Sequence, residues 1–137
     1  MAETYAAEAL AGQRHALGLE DPDTMASAAD LALAYLSRQK FAESEPLARE
    51  ALEFYQKKQP DDWQRFRAES LLGASLAGQR RYAEADPLLV DGYEGVLARN
   101  ERIAVENRYH RDRAREWLIQ FYTASGKPDK AAEWRRK

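Results

Sequence analysis

Cysteine is absent from the 137 residues, and histidine occurs only as His15 and His110. The first absence excludes disulfides, thiolate nucleophiles, cysteine-ligated zinc and iron–sulfur clusters. The second leaves too few imidazoles for a histidine-rich metal centre. Long apolar runs are missing as well: charges interrupt every window of about 18–20 residues, so no membrane-spanning helix is expected. Residues 1–17 lack the basic start and apolar middle of a secretory leader, which makes a cytoplasmic location the expectation. Val90, Val96 and Val105 are the only valines and Ile103 and Ile119 the only isoleucines. Without alternating β-branched runs nothing in the chain predicts a sheet.

What is present is alanine, leucine, glutamate, arginine and glutamine, all good helix formers, at 45% hydrophobic and 32% charged residues. The few prolines and glycines act as punctuation. Asp21-Pro22-Asp23 and Pro60-Asp61-Asp62 read as acidic helix starts, and Gly126-Lys127-Pro128-Asp129 as a helix stop followed at once by a start. These marks predict an all-α chain of about seven helices, at 3–17, 22–38, 41–57, 61–79, 82–99, 104–124 and 128–136. Connections of only a few residues make consecutive helices fold back antiparallel.

An internal repeat organises these helices. Leu31-Ala32-x-x-Tyr35 followed by Phe41-Ala42-Glu43-Ser44-Glu45-Pro46-Leu47 recurs 41 residues later. The second copy is Leu72-Gly73-x-x-Leu76 followed by Tyr82-Ala83-Glu84-Ala85-Asp86-Pro87-Leu88. A weaker third copy joins Leu118-Ile119-x-x-Tyr122 to Gly126-Lys127-Pro128-x-x-Ala131. A two-helix unit repeated at this period predicts a solenoid, in which each pair buries its apolar face only against its neighbours. Ala32 and Gly73 are small enough for close helix approach, Phe41 and Tyr82 are placed to plug a wedge, and Ser44, Ala85 and Ala131 are small again at a crossing. Pro46 and Pro87 stand well inside predicted helices, where proline ordinarily costs about 3 kcal/mol. Either the helices kink there or they begin only near the prolines.

At these residues the chain resembles tetratricopeptide repeat proteins, in their longer variety of the kinesin-light-chain type. Asp21-Pro22-Asp23-Thr24, Leu31-Ala32-Leu33-Ala34-Tyr35 and Phe41 to Leu47 carry the likeness. The resemblance implies a right-handed α-α superhelix. It divides a single domain into a leftover second helix at 3–17, one repeat at 22–57, a second at 61–99 and a terminal repeat at 104–136. It also implies the C-terminal part of a larger signalling or regulatory protein, such as the repeats trailing bacterial serine/threonine kinases. Two departures stand out: Gln39 and Arg80 replace the turn glycine, and Ala28 and Glu69 replace a frequent first-helix tryptophan.

The resemblance further implies a non-catalytic module that binds a partner peptide or helix in a concave groove lined by the first helices. The residues expected there are Ala29, Leu33, Ser37, Arg67, Ser70, Ala74, Arg113, Glu116 and Gln120. Ala29 and Leu33 stand where a carboxylate-clamping subtype would need Asn or Lys, which argues against that subtype. No cofactor, metal or catalytic residue is expected; His110 four residues after Glu106 lacks further ligands. The charge is uneven, with 10 basic and 17 acidic residues in 1–98 against 11 and 6 in 99–137. The arginine-rich 99–137 segment is therefore the alternative, a nucleic-acid surface, although interleaved Glu101, Glu106, Asp112 and Glu116 favour ion pairs. Most aromatics fall at core spacing. Trp134, near the chain end, is the exception, and an uncovered solenoid end would permit a homodimer.

Overall fold

The computed structural model describes residues 22–136. Six α-helices follow one another there: α1 (Pro22–Ser37), α2 (Phe41–Lys58), α3 (Trp63–Gly78), α4 (Tyr82–Ala98), α5 (Tyr109–Ala124) and α6 (Pro128–Arg136). Short 3₁₀ turns at Asn100–Arg102 and Val105–Asn107 link α4 to α5, and no strand occurs among the described residues. The helix expected at 3–17 lies outside them.

The repeat in sequence is a repeat in geometry. The α1–α2, α3–α4 and α5–α6 connections are one turn built three times. Gln39 sits at φ 59°, Arg80 at φ 64° and Gly126 at φ 80°. In each case the next residue's N–H reaches back five residues: Lys40 to the Tyr35 carbonyl at 2.9 Å, Arg81 to Leu76 at 3.0 Å and Lys127 to Tyr122 at 2.8 Å. The left-handed residue itself donates to Leu36, Ala77 and Thr123 respectively. This motif satisfies the last helix carbonyls and folds the chain back within three residues. The two departures from glycine are thus absorbed by the backbone, with side chains held in the left-handed region. Asp62 supplies a side-chain cap at the start of α3, its Oδ1 accepting the Gln64 N–H at 2.8 Å.

Both second helices run unbroken through their prolines, from Phe41 through Pro46 and from Tyr82 through Pro87. Helices that begin only at the prolines are therefore excluded. Each proline leaves a carbonyl one turn back, Ala42 or Ala83, without its usual donor. The expected helix at 104–124 starts later, at Tyr109. Ile103 is the reason: it is 1% exposed, in extended backbone, and packs with Phe66 and Val96 while Trp63 leans on the cluster. Burying that side chain pulls the linker out of helical geometry, and the Arg108 guanidinium fixes it by donating to the Ile103 carbonyl at 3.1 Å.

α3 is the middle element, packed against α1, α2, α4 and α5. Every residue from Phe66 to Ser75, and Leu76 after them, is buried, so this helix has no solvent face along that stretch. Contacts between layers use small residues. Ser44 Oγ donates to the Ala32 carbonyl at 3.0 Å, and Ser75 Oγ lies 2.9 Å from Ser44 Oγ. A Cβ on Gly73 would lie 2.8 Å from Leu89 Cγ. Phe41 and Tyr82 fill the space between successive pairs rather than within one pair. The Phe41 ring seats on Gly78, and Tyr82 meets Phe121 edge-on at 5.7 Å. Glu45 and Asp86, again 41 residues apart, both accept from the next pair. Glu45 binds Gln79 at 2.9 Å and Arg81 at 3.0 Å, and Asp86 accepts from the Tyr122 hydroxyl at 2.9 Å.

A non-glycine residue in the left-handed region costs about 1 kcal/mol. Gln39→Gly and Arg80→Gly are each expected to stabilise the fold by about that amount, and Gly126→Ala to destabilise it similarly. Urea unfolding of the three variants checks this; unchanged midpoints would contradict the turn geometry.

Candidate functional site

Because α3 packs between α1 and α5, these three helices form one continuous layer. At the C-terminal ends of these helices the layer opens into a cavity of about 310 Å³. Phe41, Tyr82, Trp117 and Phe121 supply its aromatic walls; Leu36, Ala74, Ala77, Gly78 and Ala124 complete the apolar lining; Ser37, Gln39 and Gln120 give it three neutral polar groups. No charged residue lines it. Such a recess suits an apolar or aromatic side chain flanked by a backbone that needs a few hydrogen bonds.

The nine expected groove residues divide. Ser37, Ala74 and Gln120 line this cavity. Leu33 is half-buried above it, packed on the core, and Ser37 Oγ donates back to the Leu33 carbonyl at 3.1 Å. Glu116 is exposed and accepts from the Gln120 side-chain amide at 3.3 Å. Arg113 is half-buried, its guanidinium 5.7 Å from the Tyr109 ring. Ala29 and Ser70 are buried instead: Ala29 joins the core, and Ser70 is turned toward Gly92 of α4. Arg67 is 4% exposed and engaged by Asp30 at 2.5 Å and Gln64 at 3.1 Å. A pair so placed is structural, since an incoming carboxylate would have to displace Asp30. Sequence reasoning missed Phe41, Tyr82, Trp117 and Phe121 as lining residues because aromatics at helical spacing read as core. The signal available was position: Phe41 and Tyr82 open the second helices at the mouth of the turn.

At the opposite end of the layer His110 is buried, with Trp63 at 5.5 Å and Tyr109 at 4.0 Å. Burial, and then the positive charges of Arg67 and Arg113, push its pKa down to about 3. It is neutral near pH 7 and unsuited to proton transfer there. Glu106 is exposed on the preceding turn. No group of three or more potential metal-ligating side chains occurs among the described residues.

Glu69 is the one buried carboxylate among the described residues, 3% exposed on α3. It occupies the place where the sequence resemblance leads one to expect tryptophan. Its Oε1 is 3.4 Å from Arg65 Nε, while Oε2 has no hydrogen-bond partner. Burial first, and then the neighbouring Asp91 carboxylate, raise its pKa to about 8, against a smaller opposing effect of Arg65.

Most arginines of the 99–115 stretch are already engaged. Arg99 and Arg102 bind Asp61 at 2.5 and 3.1 Å, which holds that exposed carboxyl below its usual range. Arg108 is taken by the Ile103 carbonyl and Arg111 by Asp112 at 3.2 Å. Trp134, expected to lie bare, is half-buried and meets Tyr93 edge-on at 5.7 Å, while α6 turns Asp129, Lys130, Glu133, Arg135 and Arg136 outward. No helix of the described residues is long and apolar enough to cross a membrane.

Antiparallel helix pairs, stacked through small residues with their first helices in one layer, define an all-α solenoid of repeat type. Residues 24–58 match the tetratricopeptide repeat family. Two crystal structures of a Podosopora anserina protein, titled as putative kinesin light chain nearly identical TPR-like repeats, share the fold. The first, of a single-substitution variant, superposes with a TM-score of 0.68 and the second with 0.64, each at 21% identity. In both cases 98% of this chain is covered, and the chain spans 62% of the length of those structures. No curated protein matches it. Repeats of this family are in general non-catalytic scaffolds for protein–protein interaction.

The raised pKa of Glu69 fixes a pH dependence. The native state holds this proton more tightly than the unfolded chain, so its contribution is fully present below the ordinary glutamate pKa of about 4.3 and is lost as pH rises through about 8. Glu69→Gln, which mimics the protonated form, is expected to gain stability relative to the parent between pH 5 and pH 9. Urea midpoints of both proteins across that range test it, and a difference independent of pH would refute the assignment.

Proposed function

We propose that the chain is a non-catalytic module that binds an extended or helical peptide of a partner protein along the α1–α3–α5 layer, with an apolar side chain seated in the cavity. The observation that carries this reading is the uncharged aromatic recess at the C-terminal ends of three first helices. Trp117, half-buried and shared between cavity and core, is the natural energetic anchor. Leu33, Gln120, Glu116 and Arg113 extend the contact surface, and Arg67 acts through its pair with Asp30 as a fixed wall. The repeats run 22–57, 61–99 and 104–136 in one domain, the last with its first helix beginning at Tyr109. On the resemblance in sequence, this module belongs to the C-terminal part of a larger cytoplasmic signalling or regulatory protein. The engagement of Arg99, Arg102, Arg108 and Arg111 within the fold weighs against the nucleic-acid alternative.

Photo-crosslinking amino acids placed at Ser37 and Gln120, and at exposed Glu53 of α2 as reference, test the site. Adducts with a defined partner peptide are expected from Ser37 and Gln120 but not from Glu53. Trp117→Ala is expected to weaken binding of that peptide at least about 10-fold, the effect of removing an interface anchor. Adducts of equal yield from Glu53 would move the site to the second-helix face.

A further inference from the structure

A second recess, of about 350 Å³, shares no residue with the aromatic cavity. It lies between α4, α5 and α6 and is lined by Tyr93, Leu97, Arg111, Asp112, Arg115, Arg135 and Arg136. Four guanidinium groups and one carboxylate leave a net charge of +3 around this space. Arg111 is balanced by Asp112, whose Oδ1 accepts from Nε at 3.3 Å and from Nη2 at 3.2 Å. Arg115 is held in place by the last turn of α6: its Nε donates to the Trp134 carbonyl at 3.4 Å and its Nη2 to the Arg135 carbonyl. Those partners are carbonyls of the last helical turn, whose partial negative charge favours a cation, and no carboxylate among the described residues neutralises it. Arg135 and Arg136 have no carboxylate partner among the described residues.

Such convergence is against the trend of a chain whose net charge is −2. Three arginines without a carboxylate partner give the recess a positive potential, and an anion entering it is attracted. A single carboxylate supplies one negative charge; a phosphoryl group supplies close to two and three acceptor oxygens that match forked guanidinium donors. One side of the recess is apolar, because Leu97 is 43% exposed there. We propose that this recess binds the phosphorylated side chain of a peptide, with a neighbouring apolar residue of the peptide lying on Leu97. A nucleic-acid strand fits less well. It needs a track of several phosphate contacts and open aromatic faces for base stacking. Tyr93 is 2% exposed and covered by Trp134, and the arginines that would continue the track toward α3 are bound to Asp61.

The test uses the full chain and three fluorescent probes: a leucine-flanked phosphoserine peptide, its unphosphorylated twin, and a single-stranded oligonucleotide of equal charge. Saturable binding of the phosphopeptide is expected, with the twin at least 10-fold weaker. Arg136→Ala, at an exposed position remote from the core, and Arg111→Ala are each expected to weaken it several-fold, and the pair at least 10-fold. Glu53→Ala, at an exposed position of α2 that lines neither recess, leaves this binding unchanged. Leu97→Ser is expected to weaken the leucine-flanked probe but not one flanked by glycine. Absence of phosphopeptide binding would overturn the proposal. So would equal affinity for the oligonucleotide with a steep salt dependence, or insensitivity to Arg111→Ala with Arg136→Ala.

Discussion

The structure depends on how closely α4 can pass α3. A Cβ on Gly92 would lie 2.8 Å from the Ser70 backbone nitrogen and 2.9 Å from the Phe66 carbonyl oxygen. These are backbone atoms of a buried helix and cannot move aside as a side-chain tip can. One turn on, a Cβ on Gly95 would enter the Phe66 ring, and one pair earlier Gly78 receives the Phe41 ring in the same way. Missing side chains therefore set the spacing of the stack. Given that spacing, α3 is buried through Ser75, α1 and α5 come to flank it, and their C-terminal ends converge on the aromatic recess. Close packing of this kind leaves little room for adjustment, because cores are as dense as organic crystals.

The same closeness explains the polar groups inside. Ser44 and Ser75 are small enough to fit at crossings and return their hydroxyls to backbone or to each other. Glu69 has no such exit. It sits on a helix with no solvent face there, and burial together with the neighbouring Asp91 carboxylate pushes its pKa up to about 8. Arg67 escapes by reaching Asp30 on the neighbouring first helix. The lateral surface of the layer is thus partly fixed by internal ion pairs, and the uncharged recess is what is left for a ligand.

Much of this was legible in the chain. The 41-residue offset predicted equivalent turns at Gln39 and Arg80, equivalent prolines at 46 and 87 and equivalent wedge aromatics at 41 and 82, and each pair occupies the same geometry. The start of α5 was less legible, because Ala104 to Asn107 can form helix locally and only the burial of Ile103 under Phe66 and Val96 prevents it. Groove residues were half legible. The resemblance assigned Ala29 and Ser70 to the groove, but it does not reveal that Ala29 joins the core and that Ser70 lies against Gly92 of α4. The basic recess was invisible as a site: its arginines come from two helices separated by a turn, and its apolar side, Leu97, comes from a third.

If the passage of α4 over α3 at Gly92 sets the whole stack, one added methyl should be felt by every layer. Gly92→Ala, followed by urea denaturation and amide hydrogen exchange, measures this most directly. Overpacking a fixed interface costs about 1–3 kcal/mol or more, and the account predicts a loss at the upper end of that range. Protection is expected to fall throughout α3 and α4 and at the α1 and α5 faces against them. An unchanged midpoint, with protection lost only in the turn around residue 92, would contradict it.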